Sequence, residues 1–188
     1  MARRKVKDKT VTNKRIYTLV LVLLVLIVAF LARGFLAYRL YPLEHQQIIA
    51  QKSEEYALDP YLVSAVIRAE SGFRIAAVSP KGAVGLMQIM PDTGAWIAEK
   101  LKMEDYDADM LTDPYVNIEF GCWYLNYLYG RFSGDKDKML AAYNAGPNKV
   151  DTWIEGGVLG VIPYPETENY VKTVKRNYYI YKGLYDDF

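Results

Sequence analysis

Between Ile16 and Ala32 the chain runs for seventeen residues without a charge, mostly Leu and Val. Outside a protein core such a run is stable only as a helix in lipid, because a helix satisfies every backbone N–H and C=O within the segment itself. At 1.5 Å per residue it spans about 25 Å, slightly less than a hydrocarbon core of roughly 30 Å. Snorkelling of Arg33 and the stretch Gly34 to Tyr38 close the gap, so the expected anchor is residues 16–38. A cleaved signal peptide is the alternative, with Ala32-Arg33-Gly34 as its small-x-small site, but the apolar run is longer than a usual signal core. The tail ahead of it, residues 1–15, carries seven Lys/Arg and one Asp. The positive-inside rule keeps that tail cytoplasmic and places residues 39–188 on the far side. About ten residues, from Arg33 to near Leu43, then link anchor to domain and reach at most roughly 35 Å when extended.

The whole chain has a net charge of +1, but the basic excess belongs to the tail and the remainder is net acidic. No Lys/Arg stripe interleaved with aromatics appears there, so nucleic acid is not an expected partner. Cys122 is the one cysteine and lies in an aromatic helical stretch, which excludes a disulfide framework, a cysteine metal cluster and a lipid-bearing cysteine near the N-terminus. It reads as a small buried hydrophobe. His45 is the one histidine, with no Ser or Cys in a nucleophile motif to serve it. No cofactor or metal is expected.

The informative stretch is Asp59 to Pro91. Asp59-Pro60 is a helix start, a capping aspartate before a proline at the first helical position. In the helix that follows, Val63, Val66, Ile67 and Glu70 share a face, since positions three, four and seven apart align. A lone Glu at a helix end ordinarily turns to water. On an apolar stripe it is desolvated instead, its pKa rises, and it can hold a proton near neutral pH, as a general acid must. Gly72 supplies the stop. Gly82 to Pro91 is then a short uncharged run whose one amide, Gln88, sits in apolar company and needs partners or a ligand.

Further helices are expected from Leu43 to Tyr56, and from Pro91 to Lys102 with Trp96, Ile97 and Leu101 inward. The longest one outside the anchor starts at Asp113-Pro114 and runs to Arg131, with Asn117, Gly121, Tyr124 and Leu128 on one packing face. A helix from Lys136 breaks at Asn144-Ala145-Gly146-Pro147, and a short one from Asn148 to Glu155 is closed by Gly156-Gly157. The last runs from Glu166 to Tyr185. With no internal repeat and no strand-rich region, the fold class is all-α behind one transmembrane helix, with room for a small β-like patch around Val84 to Ile89.

Glu70-Ser71, Gly85-Leu86-Met87-Gln88 and Ala142-Tyr143-Asn144-Ala145-Gly146 stand in an order that resembles the soluble-type lytic transglycosylases (SLT domains) of bacteria, relatives of goose-type lysozyme. Ile162-Pro163, Glu166-Thr167 and Tyr170-Val171 extend the resemblance, which covers roughly Leu43 to Tyr185; Glu168 departs from it, since many members carry Arg there. The resemblance implies a lysozyme-like fold and, as substrate, peptidoglycan glycan strands cut after the muramic residue to leave a 1,6-anhydro end. It makes Glu70 the acid and base, has Ser71 and Gln88 position the cleft, and gives Met87 a sugar contact. It also has Tyr143 and Asn144 hold Glu70 and an acetamido group, and Glu166 border the cleft. A hydrolytic lysozyme with Asp92 as second acid, or a tethered peptidoglycan-binding module, are the alternatives. The membrane partner would be reached through the N-terminal helix.

Overall fold

The computed structural model describes residues 2–186 and Phe188, with backbone alone for residues 2–15, so Met1 and the basic side chains of the tail lie outside it. The chain divides into two compact units after Pro42. The first is one helix, α1 (Ala2–Leu40), in which residues 16–40 are long and apolar enough to cross a membrane and keep their large apolar side chains exposed. The helix thus runs two residues past the expected anchor end at Tyr38, and the reach of at most roughly 35 Å counted from Arg33 is shortened, because that segment is helical as far as Leu40. A single Gly34 among Arg, Phe, Leu and Ala does not break a helix, whereas Pro42 does. Five residues, 41–45, remain before the next helix.

The second unit comprises α2 (Gln46–Glu55), α3 (Pro60–Glu70), α4 (Pro91–Leu101), a 3₁₀ turn (Ala108–Thr112), α5 (Pro114–Arg131), α6 (Lys136–Ala145), α7 (Pro147–Asp151), the hairpin β1 (Ile154–Glu155) and β2 (Val158–Leu159), and α8 (Pro165–Leu184). The all-α expectation holds. Asp59 and Asp113 cap α3 and α5, accepting from the backbone N–H of Tyr61 and of Tyr115 and Val116.

At the centre lies α3, with Leu62, Val63, Ala65, Val66 and Ile67 all buried. Each such large side chain contributes about 1.5–3 kcal/mol by leaving water. Its main neighbour is α8, which crosses it antiparallel. Tyr178 near the end of α8 donates to Asp59 at the start of α3 (2.7 Å), and Tyr61 donates to the Tyr185 carbonyl (2.9 Å). The opposite ends, Glu70 of α3 and Tyr170 of α8, consequently meet.

Between α3 and α4 the backbone makes the small β-like patch, as isolated bridges from Val78 to Val84 and from Val84 to Ile89. Polar side chains of other elements hold this loop. Asn117 of α5, 1% exposed, accepts from Met87 N (2.7 Å) and donates to the carbonyls of Val84 (2.9 Å) and Leu111 (2.8 Å). Tyr143 of α6 donates to the Met87 carbonyl (2.9 Å).

Two local readings differ from the structure, and one buried charge had not been anticipated. Gly156-Gly157, expected to close a helix, forms the turn of the β1–β2 hairpin with φ of 58° and 82°, the paired positive values that a two-residue hairpin turn requires. Trp96 and Leu101 are only half-buried on α4, whereas Ile97 is fully buried as expected. Lys52, an unremarked position of α2, is 3% exposed and lies between Glu119 (2.7 Å) and Glu55 (2.8 Å). Its ammonium also sits 4.5 Å from the centre of the Tyr115 ring, so the charge is balanced on every side that α2 and α5 enclose.

Candidate active site

The end of α3, the 79–90 loop, the end of α6 and the start of α8 enclose a cleft of about 410 Å³ lined by Glu70, Ser79, Lys81, Gln88, Tyr143, Asn144 and Glu166, among others. A second hollow of about 200 Å³ shares Gln88, Met90, Tyr143 and Asn144 with it and adds Thr93 of α4 and Tyr124 of α5. The two hollows are neighbours with these four shared residues between them.

Glu70 closes the last turn of α3, where Gly72 at φ 63° turns the chain away and leaves its backbone in the left-handed region that glycine tolerates. Burial pushes the Glu70 carboxyl up to about 7, opposed only by the hydroxyl of Tyr170, which favours the ionised form. That hydroxyl is itself buried, makes no fully formed hydrogen bond, and has its own pKa held well above the usual phenol range by burial and then by the charge of Glu70. The carboxyl thus titrates where a group must if it is to give a proton and later take one near neutrality.

The remaining walls are set by hydrogen bonds. Gln88, with φ 50°, donates through Nε2 to the carbonyls of Ala77 (3.0 Å) and Gly85 (2.9 Å), so its amide nitrogen locks the loop while the residue lines the cleft. Thr167 donates to Asn144 Oδ1 (2.8 Å), which leaves the amide N–H groups of Asn144 for a bound acceptor. Glu166, in the first turn of α8, is exposed and stands 3.8 Å from the exposed Lys81 across the mouth.

Five of the residues singled out in the sequence, Glu70, Gln88, Tyr143, Asn144 and Glu166, line the cleft. Ser71 does not. It is 2% exposed, and its hydroxyl donates back to the Ile67 carbonyl (3.2 Å), because a residue following Glu70 on the helix points to another face. Met87 does not either: it is fully buried, packed where α5 offers only the bare Cα of Gly121. It supports the loop from beneath through its N–H and C=O. Tyr143 lines the wall but donates to Met87, and the hydroxyl beside Glu70 is that of Tyr170. Ser79, Lys81, Thr167 and Tyr170 were not expected as site residues, although Thr167 and Tyr170 stand in motifs that carry the resemblance. The turn residues Ser79-Pro80-Lys81-Gly82 beside the uncharged run, and Tyr170 one turn beyond Glu166, were the available signals.

Residues 47–157 match the family model described as Transglycosylase SLT domain. The chain is a member of the SLT family. The soluble lytic murein transglycosylase of Escherichia coli (strain K12) is 35% identical over 143 residues, 71% of this chain and 22% of that relative, and the membrane-bound lytic murein transglycosylase C of Edwardsiella ictaluri is 31% identical over 116 residues, 57% of this chain and 32% of that relative. The chain thus spans under a third of either. Among solved structures, the 70 kDa soluble lytic transglycosylase Slt70 from Escherichia coli aligns with a TM-score of 0.72 at 32% identity, covering 78% of this chain and 25% of that one. An inactive mutant of lytic transglycosylase Slt from Pseudomonas aeruginosa gives 0.71 at 31% identity, covering 77% and 25%. The matched residues 47–157 lie within the second compact unit.

Proposed function

We propose that this chain is a membrane-anchored lytic transglycosylase that cuts the β-1,4 bond between N-acetylmuramic acid and N-acetylglucosamine in peptidoglycan. The observation that carries the reading is the half-buried carboxyl of Glu70, raised towards neutrality in the wall of the cleft. Glu70 protonates the glycosidic oxygen as the bond to the muramic C1 breaks. The resulting carboxylate, stabilised by Tyr170, removes the proton of the muramic C6 hydroxyl as that oxygen closes on C1. The proton given is recovered, no water is consumed, and a 1,6-anhydro ring results. Gln88, Asn144 and Ser79 supply polar contacts to the sugar, and Glu166 and Lys81 border its entry.

A hydrolase of the same fold requires a second carboxyl to activate water or form a covalent intermediate. Asp92 is exposed in the first turn of α4 and is absent from the cleft lining; Glu166 lines it but is exposed and ion-paired. Anchoring with the SLT domain outside the cytoplasm rests on the basic tail and on residues 16–40.

Zymography of the full chain in detergent on purified cell wall tests the reading. Clearing is expected, and Asp92→Asn is expected to clear as the parent does. Failure to clear would favour a peptidoglycan-binding module. In Tyr170→Phe the one group that lowers the pKa of Glu70 is gone, so the carboxyl stays protonated to higher pH. The high-pH limb of the activity profile should move up, with the maximal rate down roughly tenfold because the carboxylate formed mid-reaction loses the adjacent hydroxyl that can donate to it. A limb that stays in place would mean the high-pH limb does not report Glu70.

A further inference from the structure

Where the second hollow ends, its walls continue as aromatic rings. Thr93 of α4 and Tyr124 of α5 line that hollow, and Trp96 and Tyr127 lie three residues further along the same helices, one turn out on the same face. Their ring centroids are 5.1 Å apart, and Trp96 also meets Trp123 edge-on at 5.2 Å and Tyr124 at 6.1 Å. Trp123 and Tyr127 stack on one another, 5.6 Å between centroids and parallel to within 2°, so the stack presents its outer faces and edges to solvent. Contact between Tyr124 and Tyr143 at 5.5 Å links the cluster to the catalytic wall.

These rings are not a sealed core. Tyr127 is 36% exposed and Trp96 and Trp123 are half-buried, whereas Trp153 is only 8% exposed. A small domain that leaves three clustered aromatic rings partly in water, at the mouth of its cleft, retains apolar surface that a ligand can cover. The chemistry of the surface selects the ligand. The rings carry no charge, and the nearest fixed cation along α5, Arg131, is engaged with Asp151 at 2.7 Å. An anionic ligand would gain little. A β-linked hexose chain presents flat C–H faces and acetamido methyl groups, which release water on meeting a ring face, and its repeat is comparable with the roughly 5.4 Å of one helical turn.

We propose that Trp96, Trp123 and Tyr127 form a second saccharide-binding platform on which an N-acetylhexosamine chain leaving the cleft lies, so that binding and cutting favour long strands. The proposal rests on the glycan-cutting reading of the cleft and adds an exit surface to it.

The test uses the full chain in detergent with Glu70→Gln to prevent cutting, and chitotriose and chitohexaose as ligands. Two of the three tryptophans lie in the platform and none lines the cleft, so tryptophan emission reports the platform directly. The hexamer is expected to bind at least about tenfold more tightly than the trimer, which corresponds to roughly 1.4 kcal/mol, and to shift the emission while the trimer does not. Adding Tyr127→Leu, and separately Trp96→Leu, keeps apolar volume but removes a planar face. Each should bring the hexamer towards the trimer's affinity, leave the trimer unchanged, and leave the melting temperature within a few degrees. Equal affinities in the parent, or a hexamer advantage that survives both substitutions, would overturn the platform while leaving the cleft reading intact. Binding of neither oligomer would contradict the glycan reading and the platform with it.

Discussion

Glu70→Gln is expected to lower cell-wall cleavage by at least about a thousandfold while the protein stays folded. The amide keeps the shape of the carboxyl but has no proton to give, and general acid–base assistance alone accounts for about 10²–10⁴ in rate. Stability should move the other way. Folded Glu70 titrates near 7 against an ordinary value of 4.5, so the fold binds its proton more tightly than the unfolded chain does. Such a raised carboxyl leaves stability untouched below the unfolded value, then costs progressively more as pH rises towards the folded value and a constant amount above it. Gln removes that cost, which is on the order of 2 kcal/mol after allowing for partial exposure. Melts of parent and variant should therefore coincide near pH 4 and separate by several degrees at pH 8, with the variant higher. A variant that melts lower at pH 8, or that still cuts, contradicts the environment described for Glu70.

Gly85→Ala is expected to cost about 4 kcal/mol, a large share of the roughly 5–15 kcal/mol by which a domain of ordinary stability is held folded. Gly85 adopts φ 82°, and a Cβ there would overlap Asn117 Nδ2 and the Leu111 carbonyl oxygen, two groups already bonded to each other. Neither can retreat: one is backbone, and the other is the side chain that staples Met87 and Val84 to α5. The strain of a non-glycine residue at positive φ and the loss of a buried polar network therefore add. Denaturant melts check the magnitude. Gly121→Ala provides the contrast, because its Cβ would meet chiefly the flexible thioether of Met87, so the loss there should be smaller. Equal losses at both positions would mean that the Asn117 staple is not what makes Gly85 critical.

Local chemistry made much of this fold legible in the sequence. Asp59-Pro60 and Asp113-Pro114 mark helix starts within four residues of chain, and the apolar stripe through Ile67 carries Glu70 with it whatever the rest of the domain does. What escaped depends on partners far away in sequence. Tyr170 reaches Glu70 because α3 and α8 cross antiparallel, and its place in a motif one turn beyond Glu166 does not by itself reveal that crossing. Lys52 looks like an ordinary surface lysine until Glu119, sixty-seven residues on, closes over it. Ser71 and Met87 mislead for a different reason. They adjoin motif residues in sequence, but consecutive side chains on a helix or a tight loop point in different directions. Gly156-Gly157 is ambiguous by nature, since glycine suits a helix stop and a hairpin turn equally.

The fate of one water molecule tests the central claim. Muropeptides released from purified cell wall by the full chain should end in 1,6-anhydro-muramic acid, lighter by one water than hydrolysis products, and borohydride should leave them unchanged because they have no reducing end. That result follows if the C6 hydroxyl, deprotonated by Glu70, is the nucleophile. Mass spectra dominated by reducible muramic ends, with activity lost in Asp92→Asn, would instead make the enzyme a hydrolase and contradict the single-carboxyl mechanism.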